Sequence, residues 1–338
     1  MQFTIVGSGA IGGLVGAYLA KHGEEVTFVD VAREHVEALN RDGLLIDGVV
    51  EPFRVQARAT TPDQLDGTLD TVILAVKSQH TLAALEPLVP RLGSDALLIS
   101  LQNGLNPDKL AARVGAERVI GGFVNFAADY AGPGHISYGG VGDIYLGRLD
   151  GPPDERLHAL AAKFERIMHT ILTDNVMGYL WSKQCYGAAL TATALVDAPV
   201  HEILESQANR EVLTATVKES IAVADAYGIT LQPFEPFDPE LFRAPVDQMQ
   251  LDALYDTIAE RFRGRVKTHT GIWRDLKVRR RKTEVPALTG DVVARGEERG
   301  LALPLCARMV AMIVEIEAGQ RAQSQANLDE LHALLVST

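Results

Sequence analysis

The strongest constraint on this chain lies in its first twelve residues. The apolar run Gln2-Phe3-Thr4-Ile5-Val6 passes directly into Gly7-Ser8-Gly9-Ala10-Ile11-Gly12, and a helical pattern follows from Leu14 to Lys21. A G-x-G-x-x-G segment between a strand and a helix is built to hold the pyrophosphate of a dinucleotide. Gly7 permits the tight turn, Gly9 lets the backbone approach the phosphates, and Gly12 lets the helix lie close on the strand. Ser8, Ala10 and Ile11 supply the main-chain groups between them, and the phosphates sit at the positive end of the helix. The glycines alone also suit an ordinary turn; their place before a second strand, Glu25 to Asp30, is what makes them a nucleotide signal.

Asp30 ends that second strand, where an acidic side chain accepts hydrogen bonds from an adenine ribose 2′-hydroxyl. Its charge repels a 2′-phosphate, which puts NAD(H) ahead. Arg33, three residues on, can neutralise such a phosphate and keeps NADP(H) open. Asp30 also suits the N-cap of a helix beginning near Arg33, and the two roles are compatible.

Through about residue 172, short β-branched runs alternate with helical ones. Strand-like segments are Leu44-Leu45-Ile46, Phe53-Arg54-Val55, Thr71 to Val76, Ala96 to Ser100 and Arg118-Val119-Ile120, with helices near Arg33–Arg41 and His80–Arg91. This predicts an α/β domain with a doubly wound parallel sheet, whose ligand crevice lies beyond the carboxyl ends of the strands. His135 to Tyr138 and Asp143 to Leu146 read as antiparallel strands that close the sheet, and Pro153 to Met168 as a helix packed back on it. From Asn175 the apolar spacing is helical, through 175–194, 208–227, 249–262, 288–299 and 305–316. The expected division is a dinucleotide-binding domain over 1–172 and an all-helical substrate domain over 173–338. The proline-rich segment Gln232 to Pro239 cannot be a helix interior and reads as a mobile edge over the cleft.

The 338 residues, 47% of them hydrophobic, can bury two domain-sized cores. A formal charge of −12 argues against nucleic acid or an anionic membrane as partner. The basic run Arg279-Arg280-Arg281-Lys282 is either a solvated helix face or part of an anionic-ligand site. Cys185 and Cys306, the only cysteines, exclude a disulfide scaffold and stand in no metal or thiol motif. The amino terminus lacks a signal-peptide pattern, and no apolar stretch reaches the ~20 residues of a membrane span. The expectation is a soluble, cytoplasmic protein without a metal.

Polar residues at the crevice end are Lys77-Ser78-Gln79 after one strand and Gln102-Asn103-Gly104 after the next. Asn103 can donate and accept, so it can bridge a cofactor ribose or hold a substrate carbonyl; Asn103-Gly104 is equally a plain turn dipeptide. On one face of the first C-terminal helix stand Lys183, Gly187, Thr191 and Ala194. A cation followed by small residues leaves a notch that admits either a ligand or another helix. Lys183 is bordered in sequence by Trp181 and Tyr186, and desolvation there would lower its pKa toward neutrality, giving a proton donor; a solvated surface lysine is the alternative. Trp273 and Arg274 could form an aromatic-cation wall that grips a carboxylate, and Glu284 could serve a ligand or cap the helix after Pro286.

The ordered set GSGAIGG, AVKSQ, LQNG, LWSKQ and GIWRDLKVRRRKTEV resembles the ketopantoate reductase (2-dehydropantoate 2-reductase) family over nearly the whole chain. The resemblance implies a Rossmann domain, a helical domain of the 6-phosphogluconate dehydrogenase C-terminal type, and a substrate cleft between them. It implies reduction of a 2-oxo acid to a 2-hydroxy acid by NADPH or NADH, with a homodimer as a plausible assembly. By position, Lys183 matches the family's proton-donating lysine, Glu284 the carboxylate that binds a substrate hydroxyl, and Asn103 and Lys77 cofactor and active-site positions; Gln79, in the same crevice loop as Lys77, is a further candidate for the cofactor.

Departures from the family pattern concentrate on the substrate side. Gly187 and Thr191 stand where the family carries asparagines, Gly271 or a neighbour where a serine is expected, and Pro286 where an aspartate is usual. Asp30 departs from the family's common NADPH preference. The implied activity is therefore reduction of ketopantoate or of a different, bulkier 2-oxo acid. An opine-type or other secondary-alcohol dehydrogenase is a second enzyme reading, and a non-catalytic dinucleotide sensor a third; retention of Lys183 and Glu284 counts against the sensor.

Overall fold

The computed structural model describes residues 1–140, 142–263 and 268–337. The chain forms two compact units, Met1–Met177 and Gly178–Thr338.

The first unit begins with β1 (Gln2–Val6), α1 (Ala10–Lys21), β2 (Glu25–Val29), α2 (Arg33–Asp42), β3 (Leu44–Gly48), β4 (Phe53–Val55) and β5 (Arg58–Thr60). It continues through β6 (Leu69–Leu74), α3 (Thr81–Leu85), β7 (Leu92–Ser100), α4 (Asn106–Val114) and β8 (Val119–Val124). It ends with β9 (Ala127–Gly132), β10 (His135–Gly140), β11 (Ile144–Arg148), α5 (Glu155–Phe164) and β12 (Thr170–Leu172). An eight-stranded sheet runs β12-β11-β8-β7-β6-β1-β2-β5. Its six strands from β5 to β8 are mutually parallel, in the order that defines a Rossmann fold. The order reverses between β1 and β6, so the chain ends of both strands open on the same crevice, beside Gly7.

These strands read as continuous apolar runs because both faces are buried. In β6, Ile73 joins the core on one side while Val72 and Leu74 join the core on the other. In β7, Leu97 and Ile99 face the first core and Leu98 the second. Against β1, helix α1 packs through glycine: a Cβ on Gly12 would lie 2.1 Å from the Gly7 carbonyl oxygen, and one on Gly16 2.4 Å from the Phe28 ring. No side chain larger than hydrogen permits that approach.

Several expectations are corrected. Asp143 to Leu146 does close the large sheet, as β11 antiparallel to β8. His135 to Tyr138 does not: as β10 it belongs to a second, four-stranded sheet, β4-β3-β10-β9, which also takes Leu44–Ile46 and Phe53–Val55. Its partner β9, Ala-Ala-Asp-Tyr-Ala-Gly, has no apolar alternation and left no strand signal. The helix expected over His80–Arg91 is broken into α3 and a single 3₁₀ turn at Val89–Arg91. Pro87 and Pro90 lack the N–H groups a continuous helix needs.

The second unit is helical: α6 (Val176–Thr193, opening at the end of the first unit), α7 (Val200–Ile203), α8 (Gln207–Ala226), α9 (Gln248–Arg263), α10 (Gly271–Lys277), α11 (Thr289–Glu298), α12 (Pro304–Glu317) and α13 (Gln325–Ser337). The segment read as a mobile edge is instead anchored. Phe234, Phe237 and Phe242 are buried, the Gln232 N–H donates to Ser182 Oγ at 3.0 Å, and Arg243 grips Asp225 with two nitrogens. Nor is the basic run a helix face. It follows the end of α10, where Arg279 and Arg281 both donate to the buried Asp275 carboxylate. No helix among the described residues is long and apolar enough to cross a membrane.

The glycine packing makes a quantitative expectation. Gly12→Val should lower unfolding stability by about 3 kcal/mol or more through overpacking, read from the urea midpoint. Gly9→Ala, whose Cβ would meet nothing within 4 Å, should cost no more than about 1 kcal/mol. Equal losses would contradict the close approach.

Candidate active site

The first unit supplies a phosphate cradle. Gly7 leaves β1 with φ +89, its N–H bonded to the Val29 carbonyl at 2.8 Å, and a Cβ there would strike Val76 at 2.8 Å. Gly9 is the N-cap of α1 and faces open space where a side chain would stand. The first four N–H groups of a helix have no acceptor within it, so the first turn at Ala10, Ile11 and Gly12 turns main-chain donors toward that space. These residues fit a dinucleotide pyrophosphate: backbone donors, a positive helix end and no side chain in the way.

Asp30 sits beside the cradle and is partly bound to it. Its Oδ2 accepts from the Ser8 N–H at 2.9 Å and the Ser8 hydroxyl at 3.2 Å; its Oδ1 accepts from the Ala32 N–H at 3.0 Å. A carboxylate has about four acceptor positions, and three are taken, so Oδ1 keeps room for one hydroxyl donor. Asp30 is not the N-cap of α2, which is Ala32; it holds the cap residue from two positions upstream. Arg33, the first residue of α2, is exposed and lies 3.8 Å from Asp63.

Lys77, Gln79 and Asn103 come from the loops after β6 and β7, and a buried polar network that sequence reasoning missed ties those loops together. Gln102 Nε2 donates to the Val76 carbonyl at 2.9 Å and to Thr81 Oγ1 at 2.7 Å. Asn106 Nδ2 donates to the Asn103 carbonyl at 2.6 Å, and the Ser78 hydroxyl donates to that same carbonyl. Ser78, Thr81, Gln102 and Asn106 are all buried, whereas the Asn103 and Gln79 side chains are exposed. Asn103-Gly104 is thus a turn, with Gly104 at φ +93, and also a platform whose backbone is held rigid. A further missed residue is His35 of α2, buried at 1% exposure, with Nε2 2.9 Å from the Ser8 carbonyl oxygen. Its signal was a polar residue on the buried face His35, Val36, Ala38, Leu39.

The second unit supplies the titratable group. Lys183 on α6 keeps some accessible surface, yet burial pulls its ammonium down to about 8, with the negative charge of Glu284 opposing the pull. Glu284 precedes a 3₁₀ turn, Val285–Ala287, and caps it with its backbone carbonyl, which accepts from Ala287 N–H at 2.9 Å; its carboxylate makes no capping bond. The aromatic neighbours in sequence turn elsewhere. Trp181 is buried against Tyr227 at 6.0 Å between ring centroids, and Tyr186 packs on Phe234 and Phe237.

Gly187 lies one turn beyond Lys183, and a Cβ there would meet nothing within 4 Å. Thr191 is buried and its hydroxyl donates to the Gly187 carbonyl at 2.8 Å. This is the local bond a threonine makes to the carbonyl one turn back. Gly271 opens α10 in open space. In that helix Trp273 stacks on His269 at 3.8 Å and donates its indole N–H to Asp197 at 3.1 Å, so the ring serves this pairing, while Arg274 is half-buried.

Comparison with known proteins places this geometry. The family model described as ketopantoate reductase PanE/ApbA matches residues 3–151, and its C-terminal counterpart matches 175–317. A 2-dehydropantoate 2-reductase of Halobacterium salinarum is 28% identical over 322 residues, covering 93% of this chain and 98% of the relative. One from Pyrococcus horikoshii is 28% identical over 308 residues, covering 90% and 94%. Among solved structures, a PanE/ApbA family ketopantoate reductase from Ralstonia eutropha JMP134 superposes with a TM-score of 0.80 at 28% identity, covering 95% of this chain and 100% of that one. A D-mandelate dehydrogenase solved with NADH and anilino(oxo)acetate shares the fold, with a TM-score of 0.80 at 22% identity and coverage of 95% and 100%. Between them the two family models match most of the sequence, from the glycine-rich loop to residue 151 and again from residue 175 to the end of α12, and the chain belongs to the ketopantoate reductase family.

Proposed function

We propose that this protein reduces a 2-oxo acid to the 2-hydroxy acid with NADH, and that Lys183 is the general acid. The observation that carries the reading is an ammonium brought down to about 8 by burial with Glu284 acting on it. Such a group is protonated at neutral pH and acidic enough to release its proton, the compromise a general acid requires. The relatives named 2-dehydropantoate 2-reductase support the reaction class.

The glycine loop from Gly7 to Gly12, with Asp30, would hold the dinucleotide, and Lys77, Gln79 and Asn103 extend the same crevice. When bound, the reduced nicotinamide supplies the hydride. Lys183 donates its proton to the carbonyl oxygen, which becomes the hydroxyl; the neutral amine left behind is reprotonated from water. Glu284 stabilises the charged lysine in the resting site. Arg274 would hold the substrate carboxylate.

Two observations favour NADH over NADPH. Asp30 retains an acceptor position for a ribose hydroxyl and a charge that repels a phosphate, and Arg33 is shared with Asp63. Two others favour a substrate larger and less polar than ketopantoate: the open space at Gly187 and Gly271, and the Thr191 hydroxyl turned onto its own helix.

Following NADH oxidation with ketopantoate and with larger 2-oxo acids tests this directly; turnover with none of them, despite NADH binding, would overturn the reading. The reduction rate should be level below pH ~8 and fall about tenfold per unit above it, because only the charged lysine donates. Glu284→Gln removes the charge that raises the Lys183 pKa, so that limb should move to lower pH. Lys183→Ala should lose about 10²-fold or more in turnover while dinucleotide still binds. NADH should be used at least about tenfold more efficiently than NADPH, one 1.4 kcal/mol step, and Asp30→Ser should narrow that ratio.

A further inference from the structure

We propose that His35 is a positioning residue for the dinucleotide: by holding the Ser8 carbonyl it aims the Gly9 N–H at the pyrophosphate. This rests on the reading that the glycine loop holds a nicotinamide dinucleotide.

The geometry assigns the hydrogens. His35 Nδ1 accepts from the Gly134 N–H at 3.0 Å, so that nitrogen carries no proton. The proton of the neutral ring is therefore on Nε2, which donates to the Ser8 oxygen at 2.9 Å. The Tyr130 ring stands edge-to-face at 5.1 Å and holds the imidazole plane from the side. The ring thus links the β9–β10 hairpin, through α2, to the loop between β1 and α1.

That bond has a consequence at the next residue. The Ser8 carbonyl and the Gly9 N–H belong to one planar trans peptide and point in opposite directions. With the carbonyl drawn inward to His35, the Gly9 N–H points away from the imidazole, and a Cβ on that glycine would meet nothing within 4 Å. The Ser8 N–H is itself engaged by Asp30, so Gly9 carries the first loop donor left for a phosphate. Without His35 the peptide can rotate its carbonyl toward the phosphates, exchanging an attraction for a repulsion.

Two substitutions separate the two ring nitrogens. In His35→Gln the amide nitrogen reaches the Nε2 position and can donate to Ser8; in His35→Asn the amide reaches only the Nδ1 position and keeps Gly134. NADH binding, measured by quenching of protein fluorescence, should weaken about tenfold in His35→Asn, the scale of one lost buried hydrogen bond, and stay within about threefold of wild type in His35→Gln. Turnover and the 2-oxo acid KM at saturating NADH should change little in either, which a general loss of folding would not spare. A second measurement needs no variant: nitrogen chemical shifts of the wild-type imidazole should show the proton on Nε2. Equal binding by both variants, or a proton on Nδ1, overturns the proposal. A wild-type chain that binds neither NADH nor NADPH overturns the cofactor reading and this inference with it.

Discussion

Helix α1 lies so close to β1 that Gly12 has no room for even a methyl group beside the Gly7 carbonyl, and the rest of the first unit is arranged around that approach. Because the helix starts so near the sheet, its unpaired N–H groups emerge at the crevice where the strand order reverses. The same closeness leaves Ser8 fully buried with polar groups to satisfy. Asp30 takes its N–H and hydroxyl, and His35 takes its carbonyl. A packing constraint between two glycines thus becomes a hydrogen-bonding requirement on an aspartate and a histidine more than twenty residues away.

The loops after β6 and β7 follow the opposite logic. There the chain does not exclude polar groups but buries four of them, Ser78, Thr81, Gln102 and Asn106, and pairs them with one another and with loop carbonyls. Each would cost about 1–3 kcal/mol if left unpaired, so the network holds one geometry rather than many. Its product is a rigid backbone under Asn103, whose side chain is left to the solvent side.

At Lys183 two electrostatic effects compete. Burial disfavours the charge and Glu284 favours it; burial wins, leaving the group near 8 instead of 10.5. At pH 7 the charged form still exceeds the neutral one by about tenfold. Loss of Glu284 would let desolvation act alone, and the lysine would reach neutral pH partly deprotonated. The carboxylate therefore holds more of the lysine in its charged form than burial alone would allow.

Local sequence determined a great deal here. The glycine spacing, the apolar strands and the three- and four-residue periodicity after Asn175 specified the parallel sheet and the helical unit, because each is a short-range pattern set by backbone geometry and burial. The ordered motifs pointed to the family and to Lys183. What only the tertiary structure decided were partnerships between distant segments: the second sheet built on the weakly patterned β9, the polar network joining two loops, and the grip of His35 on Ser8. None of these is carried by a period in the sequence. A hydrogen bond between residues that are 27 apart leaves no trace until folding brings donor and acceptor within 3 Å, as it does for His35 and Ser8 at 2.9 Å.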